Sequence, residues 1–152
     1  MQYGTLTLPR SAGVLYEGAK QYLSQDPAES RLFKRLEHAR DGRQYHLTIN
    51  HRNDDHFDPN DDTIAWDPYS ALHTTRGGRQ SPALGLGHEV DHAVENPRLA
   101  DRLRSIPDER YDNAEERRVI VGSERHAARV LGESERFDHA GITYRVASPV
   151  MR

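Results

Sequence analysis

Over residues 3–9 apolar and polar positions alternate weakly, which predicts a short strand or arm. Over 11–24, Val14, Leu15, Ala19, Tyr22 and Leu23 recur at helical spacing. Asp26 before Pro27 marks a helix start: the carboxylate caps, and the proline occupies a first-turn position where its missing N–H costs nothing. Leu32, Phe33 and Leu36 then make one apolar face, and this helix is expected to end near Asp41-Gly42. Tyr45, Leu47 and Ile49 alternate with polar neighbours, and Ile64 and Trp66 follow a very polar loop. The two runs are therefore expected to pair as a hairpin with a long turn. Residues 70–80 show neither period nor core residues and predict a mobile connection, a place for a flap or lid.

Ser81-Pro82 repeats the cap-plus-proline start, and the helix behind it is expected to run to about Asn96, with Pro97 opening a further short one. Asn113 is placed to cap a last long helix from about Ala114 to Leu131, stopped by Gly132, and Ile142 to Val146 alternate like a closing strand. The elements predict an α+β domain spanning residues 1–152, with no internal repeat.

Composition narrows what such a domain does. A net charge of -3 is spread over 21 basic and 24 acidic residues with no basic stripe, so no nucleic acid is expected as partner. No apolar run approaches the ~20 residues that span a bilayer, so no membrane association is expected. The first residues lack the charged-then-apolar layout of a cleavable signal peptide. Cysteine is absent, which removes disulfides, thiolate ligands and a cysteine nucleophile and leaves histidines and carboxylates as the available metal ligands.

Those ligands are concentrated in His88-Glu89-Val90-Asp91-His92. Two histidines four apart on a helix project from one face and can offer imidazole nitrogens to a single Zn2+. Glu89 is turned enough from the first ligand to reach a water rather than the metal, the place for a general base. Zinc lowers the pKa of water to about 7, so a carboxylate beside it can take that proton at neutral pH and pass it to a leaving amine, which makes amide hydrolysis the natural reaction. The bland readings are two surface histidines on an amphipathic helix, or a structural zinc, although a structural zinc normally takes four protein ligands and favours thiolates. A third ligand is needed, and Glu115-Glu116 supplies two candidates, which also suit a solvated first helical turn for dipole reasons alone.

The glutamate pair opening AEERRVIVG after H-E-x-x-H-A resembles the NleD-like zinc metallopeptidase effectors that bacteria inject into host cells, and is similar to the corresponding segment of clostridial neurotoxin light chains. The resemblance spans about Thr63 to Tyr144. It implies a small zincin-like α+β fold, helices packed on a small twisted sheet, with the His88–His92 helix lining the cleft. It also implies that His88, His92 and Glu116 bind zinc, with Glu115 a neighbour that orients the site.

Such relatives carry an Arg-x-x-Tyr that steadies the oxyanion; here Arg136 is followed by His139 in place of the tyrosine, with Tyr144 as another donor. Asp62–Pro68 resembles the strand lining the cleft, whose unpaired edge accepts substrate as an added strand; the plain alternative is a hairpin strand whose Trp66 fills the core. The implied biology is a monomeric endopeptidase acting on a protein or peptide in the target-cell cytoplasm, secreted by a dedicated bacterial system without a cleavable signal peptide. A flexible serine-rich leader is not evident, so a toxin domain delivered by another apparatus, or cut from a longer protein, stays open.

Other readings are weaker. HEVDH is similar to the H-E-x-D-H of peptide deformylases, but that metal amidohydrolase family needs a cysteine ligand; Asp91 is expected to face solvent or to support the ligands. Asp58–Asp62 has part of a calcium-loop spacing but Thr63 and Tyr69 where glycine and glutamate belong. His51 and His56 are taken as surface residues. A non-catalytic zinc-binding interaction module is the main alternative from another class, and the intact Glu89 argues against it.

Overall fold

The computed structural model describes residues 1–152 and has an α+β architecture. Two short strands, β1 (Gln2–Tyr3) and β2 (Leu6–Thr7), precede α1 (Gly13–Leu23) and α2 (Pro27–Glu37). β3 (Tyr45–Ile49), β4 (His56–Asp58) and β5 (Thr63–Trp66) complete a five-stranded sheet ordered β1-β2-β3-β5-β4. β6 (Ser70–His73) and β7 (Arg79–Gln80) lead into α3 (Pro82–Val94) and α4 (Pro97–Arg104). A small ribbon, β8 (Pro107–Asp108) with β9 (Asp112–Asn113), precedes α5 (Ala114–Val119), a π-helical stretch Ile120–Glu124 and α6 (Arg125–Leu131). β10 (Ile142–Arg145) ends the fold in a second sheet ordered β10-β6-β7.

The local start signals act as expected. Asp26 accepts from the Ala28 amide, Ser81 from Leu84 and Asn113 from Glu116, and Gly132 closes α6 in the left-handed conformation. Helix extents differ more. α2 stops at Glu37, ahead of Asp41-Gly42, and the single helix expected over 114–131 is interrupted at Gly122. In α1 Tyr16 is fully buried, whereas Val14 is 85% exposed.

Three strand expectations are corrected. β3 and β5 do pair, but in parallel, with His46 opposite Thr63 and Ile49 opposite Trp66. The hairpin is formed instead by β4 and β5, antiparallel, around the polar turn where Asp58 accepts from the Asn60 amide. Alternation reports which face is buried and carries no information on strand direction.

Residues 70–80 are not a mobile connection, because β6 and β7 pair around a tight turn in which Gly77 has φ 85°. Thr74 and Gly78 close that turn, and the strand that completes the sheet, β10, lies some seventy residues further on. Finally, β5 is flanked by β3 on one side and β4 on the other, so it has no unpaired edge. Trp66 does fill the core, fully buried with its indole N–H on the Pro82 carbonyl at 3.0 Å.

The principal core joins Tyr16, Leu36, Leu47, Ile64 and Trp66 to Leu86 and Val90 of α3, each apolar side chain contributing ~1.5–3 kcal/mol on burial. α1, α2 and β5 all pack on α3. At Gly87 the approach is close enough that a Cβ would lie 2.7 Å from Glu29 Oε2 of α2. No helix is long and apolar enough to cross a membrane.

Candidate metal centre

α3 is buried along most of its length, so the polar side chains it carries must find partners within the protein. His88, Glu89, Asp91 and His92 are all buried. One turn apart on the same face, His88 and His92 bring their Nε2 atoms to 3.0 Å. Glu116, in the first turn of α5, places Oε2 2.9 Å from His88 Nε2 and 3.1 Å from His92 Nε2. The structure thus gathers His88, His92 and Glu116 into one group able to hold a metal ion.

The other ring nitrogens fix the tautomers. His88 Nδ1 donates to Glu124 Oε1 at 2.9 Å, and His92 Nδ1 donates to Glu115 Oε2 at 2.7 Å. With both Nδ1 atoms donating, both Nε2 atoms present lone pairs toward each other and toward a carboxylate oxygen. Three acceptors converging on one point attract a cation. Zinc bonds of about 2.0–2.2 Å in a tetrahedral shell set neighbouring donors about 3.3–3.6 Å apart, a few tenths of an ångström wider than the triangle seen here. Protons are drawn to the same place: burial opposes the charged form of His88, but Glu116 and Glu124 raise its pKa to about 10. His92 is also raised, against burial, by Glu115 and Glu116. Glu116 is lowered by the two imidazoles, which outweigh its burial.

A second layer supports the group. Arg118 grips Glu115 through Nε to Oε1 at 2.8 Å and Nη2 to Oε2 at 2.9 Å, and donates Nη1 to Asp91 Oδ1 at 2.8 Å. Ser123 also donates to Asp91. Asp91 is therefore a buried support for the ligands, not a solvent-facing residue. Glu124, 2% exposed, pairs with Arg136 as well as His88, and the guanidinium together with the N–H donated by His88 lowers its pKa to about 2 despite burial. Eight residues of regular α-helix would leave Glu116 and Glu124 about 80° apart around the axis; the wider winding of the π stretch advances each residue by less and turns Glu124 back toward His88.

The cluster opens into a cleft of about 310 Å³ lined by His88, Glu89, Arg136, His139 and residues of β6 and β10. Glu89 Oε1 lies 3.8 Å from His88 Nε2. His139 stands against the centre: its ring stacks at 6.0 Å on that of His88, Nε2 is 3.3 Å from Glu116 Oε2, and Nδ1 is held by Asp112. Tyr144 is not brought to the cluster. Its ring packs on His73 at 4.4 Å, and its hydroxyl has no hydrogen-bond partner. Outside the metal group, His51 stacks on Tyr69 and His56 pairs with Asp54.

Glu124, Asp112, Arg118 and Asp55 reach the site only through contacts between segments distant in the chain, and no local pattern in the sequence marks them. No family model, characterised protein or solved structure matches the chain.

Proposed function

We propose that the protein is a zinc metallopeptidase that hydrolyses peptide bonds in a protein or peptide substrate. The observation that carries this reading is the convergence of His88 Nε2, His92 Nε2 and Glu116 Oε2, all about 3 Å apart, beside a carboxylate that lines an open cleft. Three protein ligands, with the cleft on the remaining side, match the ligand count of catalytic zinc rather than the closed shell of structural zinc. Zinc held there supplies Lewis acidity, acidifying water and polarising a carbonyl.

The chain's own residues do the rest. Glu89 takes the proton of the attacking water on its carboxylate and returns it to the leaving amine. The imidazolium form of His139, its Nδ1–H held by Asp112, offers Nε2–H to the oxygen that gains charge at the carbonyl. Arg136 is committed to Glu124 and acts as a positioning residue for His88, not as an oxyanion donor. The outer side of β10 pairs with no strand, and Thr143 within it and Gly141 just before it line the cleft, so the substrate-edge role falls to β10 and not to β5. The biological setting we propose is that of a secreted bacterial effector or toxin acting inside another cell.

A Glu89→Gln protein tests the reading. It should retain one zinc per chain and lose cleavage of target-cell lysate proteins, scored by mass spectrometry of new termini, by ~10²-fold or more. Undiminished biological effect in Glu89→Gln would instead point to a non-catalytic zinc-binding interaction module.

A further inference from the structure

Two carboxyls face the cleft with no arginine or lysine paired to them: Glu89 and Asp55. Their carboxylate neighbours are neutralised, Glu124 by Arg136, Glu115 by Arg118 and Asp67 by Arg145. Asp55 reaches the cleft from the loop between β3 and β4, and its Oδ1 is fixed by the Asp67 amide at 2.7 Å. Oδ2 is left with no protein donor and lies over Gly85, where a Cβ would be 2.8 Å away. Gly85 stands one helical turn before Glu89, so Asp55 projects over the α3 face that carries the proposed general base. Burial, Glu89 and Asp67 push Asp55 up to about 8, so its anion stands uncompensated and becomes the favoured form only when a cation is brought beside it. A half-buried carboxyl held beside other acids with an open oxygen is completed by a cation arriving with the ligand.

We propose that Asp55 is the anionic floor of a subsite that selects a lysine or arginine side chain next to the scissile peptide. Resting on the peptidase reading, it adds to it the substrate class. Asp55 is a specificity residue; Asn at this position keeps the Oδ1 acceptor for the Asp67 amide, so the fold is preserved while the charge is removed.

The test compares zinc-loaded wild type with Asp55→Asn on alanine-based peptides bearing one central arginine or one norleucine. Wild type should favour arginine in kcat/KM by about 10-fold or more, carried mostly by KM, and Asp55→Asn should erase that ratio. Equal cleavage of the two peptides by wild type, or a ratio that survives Asp55→Asn, overturns the proposal while leaving the peptidase reading intact. Calorimetric binding of the same peptides to zinc-loaded Glu89→Gln protein separates the two ideas. If wild type cleaves nothing, arginine-selective binding lost in the added Asp55→Asn change supports the subsite and removes the peptidase reading. Equal binding of both peptides overturns the subsite.

Discussion

His92 Nδ1 donates to Glu115 Oε2 at 2.7 Å, while the adjacent Glu116 turns its own Oε2 to the Nε2 side of the same ring. Two consecutive glutamates on one helical turn therefore sit differently, one holding the imidazole by its Nδ1 and the other completing the group able to hold a metal ion. In most metal-binding histidines the second ring nitrogen is held by such a carboxylate, which fixes the tautomer and raises ligand basicity.

That division predicts unequal losses. Glu116→Gln should abolish stoichiometric zinc binding, whereas Glu115→Gln should weaken it by ~10–100-fold and leave one zinc per chain at high metal concentration. Competition with a chelator of known affinity measures both, and the reverse order would exchange the two roles.

Glu124 and Arg136 form an ion pair buried against His88, with the Arg136 side chain 10% and the Glu124 side chain 1% exposed. Glu124→Gln leaves the guanidinium without a counter-charge and should lower stability by ~3–5 kcal/mol in urea unfolding. Glu124→Gln with Arg136→Met should cost less than the two single changes added, and simple additivity would show that the pair is not coupled.

If His139 steadies the developing oxyanion, His139→Ala should lower kcat by ~10²–10³-fold with little change in KM and no loss of zinc. Asp112→Asn should give a smaller loss of the same kind, because Asp112 acts on the reaction only through the ring it orients. Loss of metal in His139→Ala would instead make that imidazole a fourth ligand.

Glu29 is fully buried beneath Gly87, with no hydrogen-bond donor to Oε2, and burial together with Asp26 and Asp91 raises it to about 8 from the ordinary 4.5. The folded protein therefore keeps this proton where the unfolded chain has released it. Stability from this group is fully present below pH 4.5 and declines as pH rises toward 8. Glu29→Gln, a neutral isostere of the protonated acid, should flatten that decline, so its melting temperature should gain on wild type between pH 5 and pH 8. An unchanged pH slope would mean that Glu29 ionises within the fold.

Much of the local structure was legible in the chain. The caps at Asp26, Ser81 and Asn113 and the stop at Gly132 act through neighbours a few residues away, so their signals are local. The i, i+4 pair of His88 and His92 is equally local, since a helix alone puts both rings on one face. The resemblance that selected Glu116 over Glu115 agrees with the geometry of the cluster.

What the sequence by itself determined, then, is the helix, its two imidazoles and the carboxylate beside them, because helical periodicity and capping depend on neighbours along the chain. Tertiary structure alone decided that β3 and β5 run parallel, that residues 70–80 form strands, and that Tyr144 turns elsewhere. It also decided that Glu124, Asp112 and Asp55 join the site. The physical reason is that strand direction and long-range hydrogen bonds are chosen by the packing of distant segments, and alternation or charge within a segment does not say which partner it will meet.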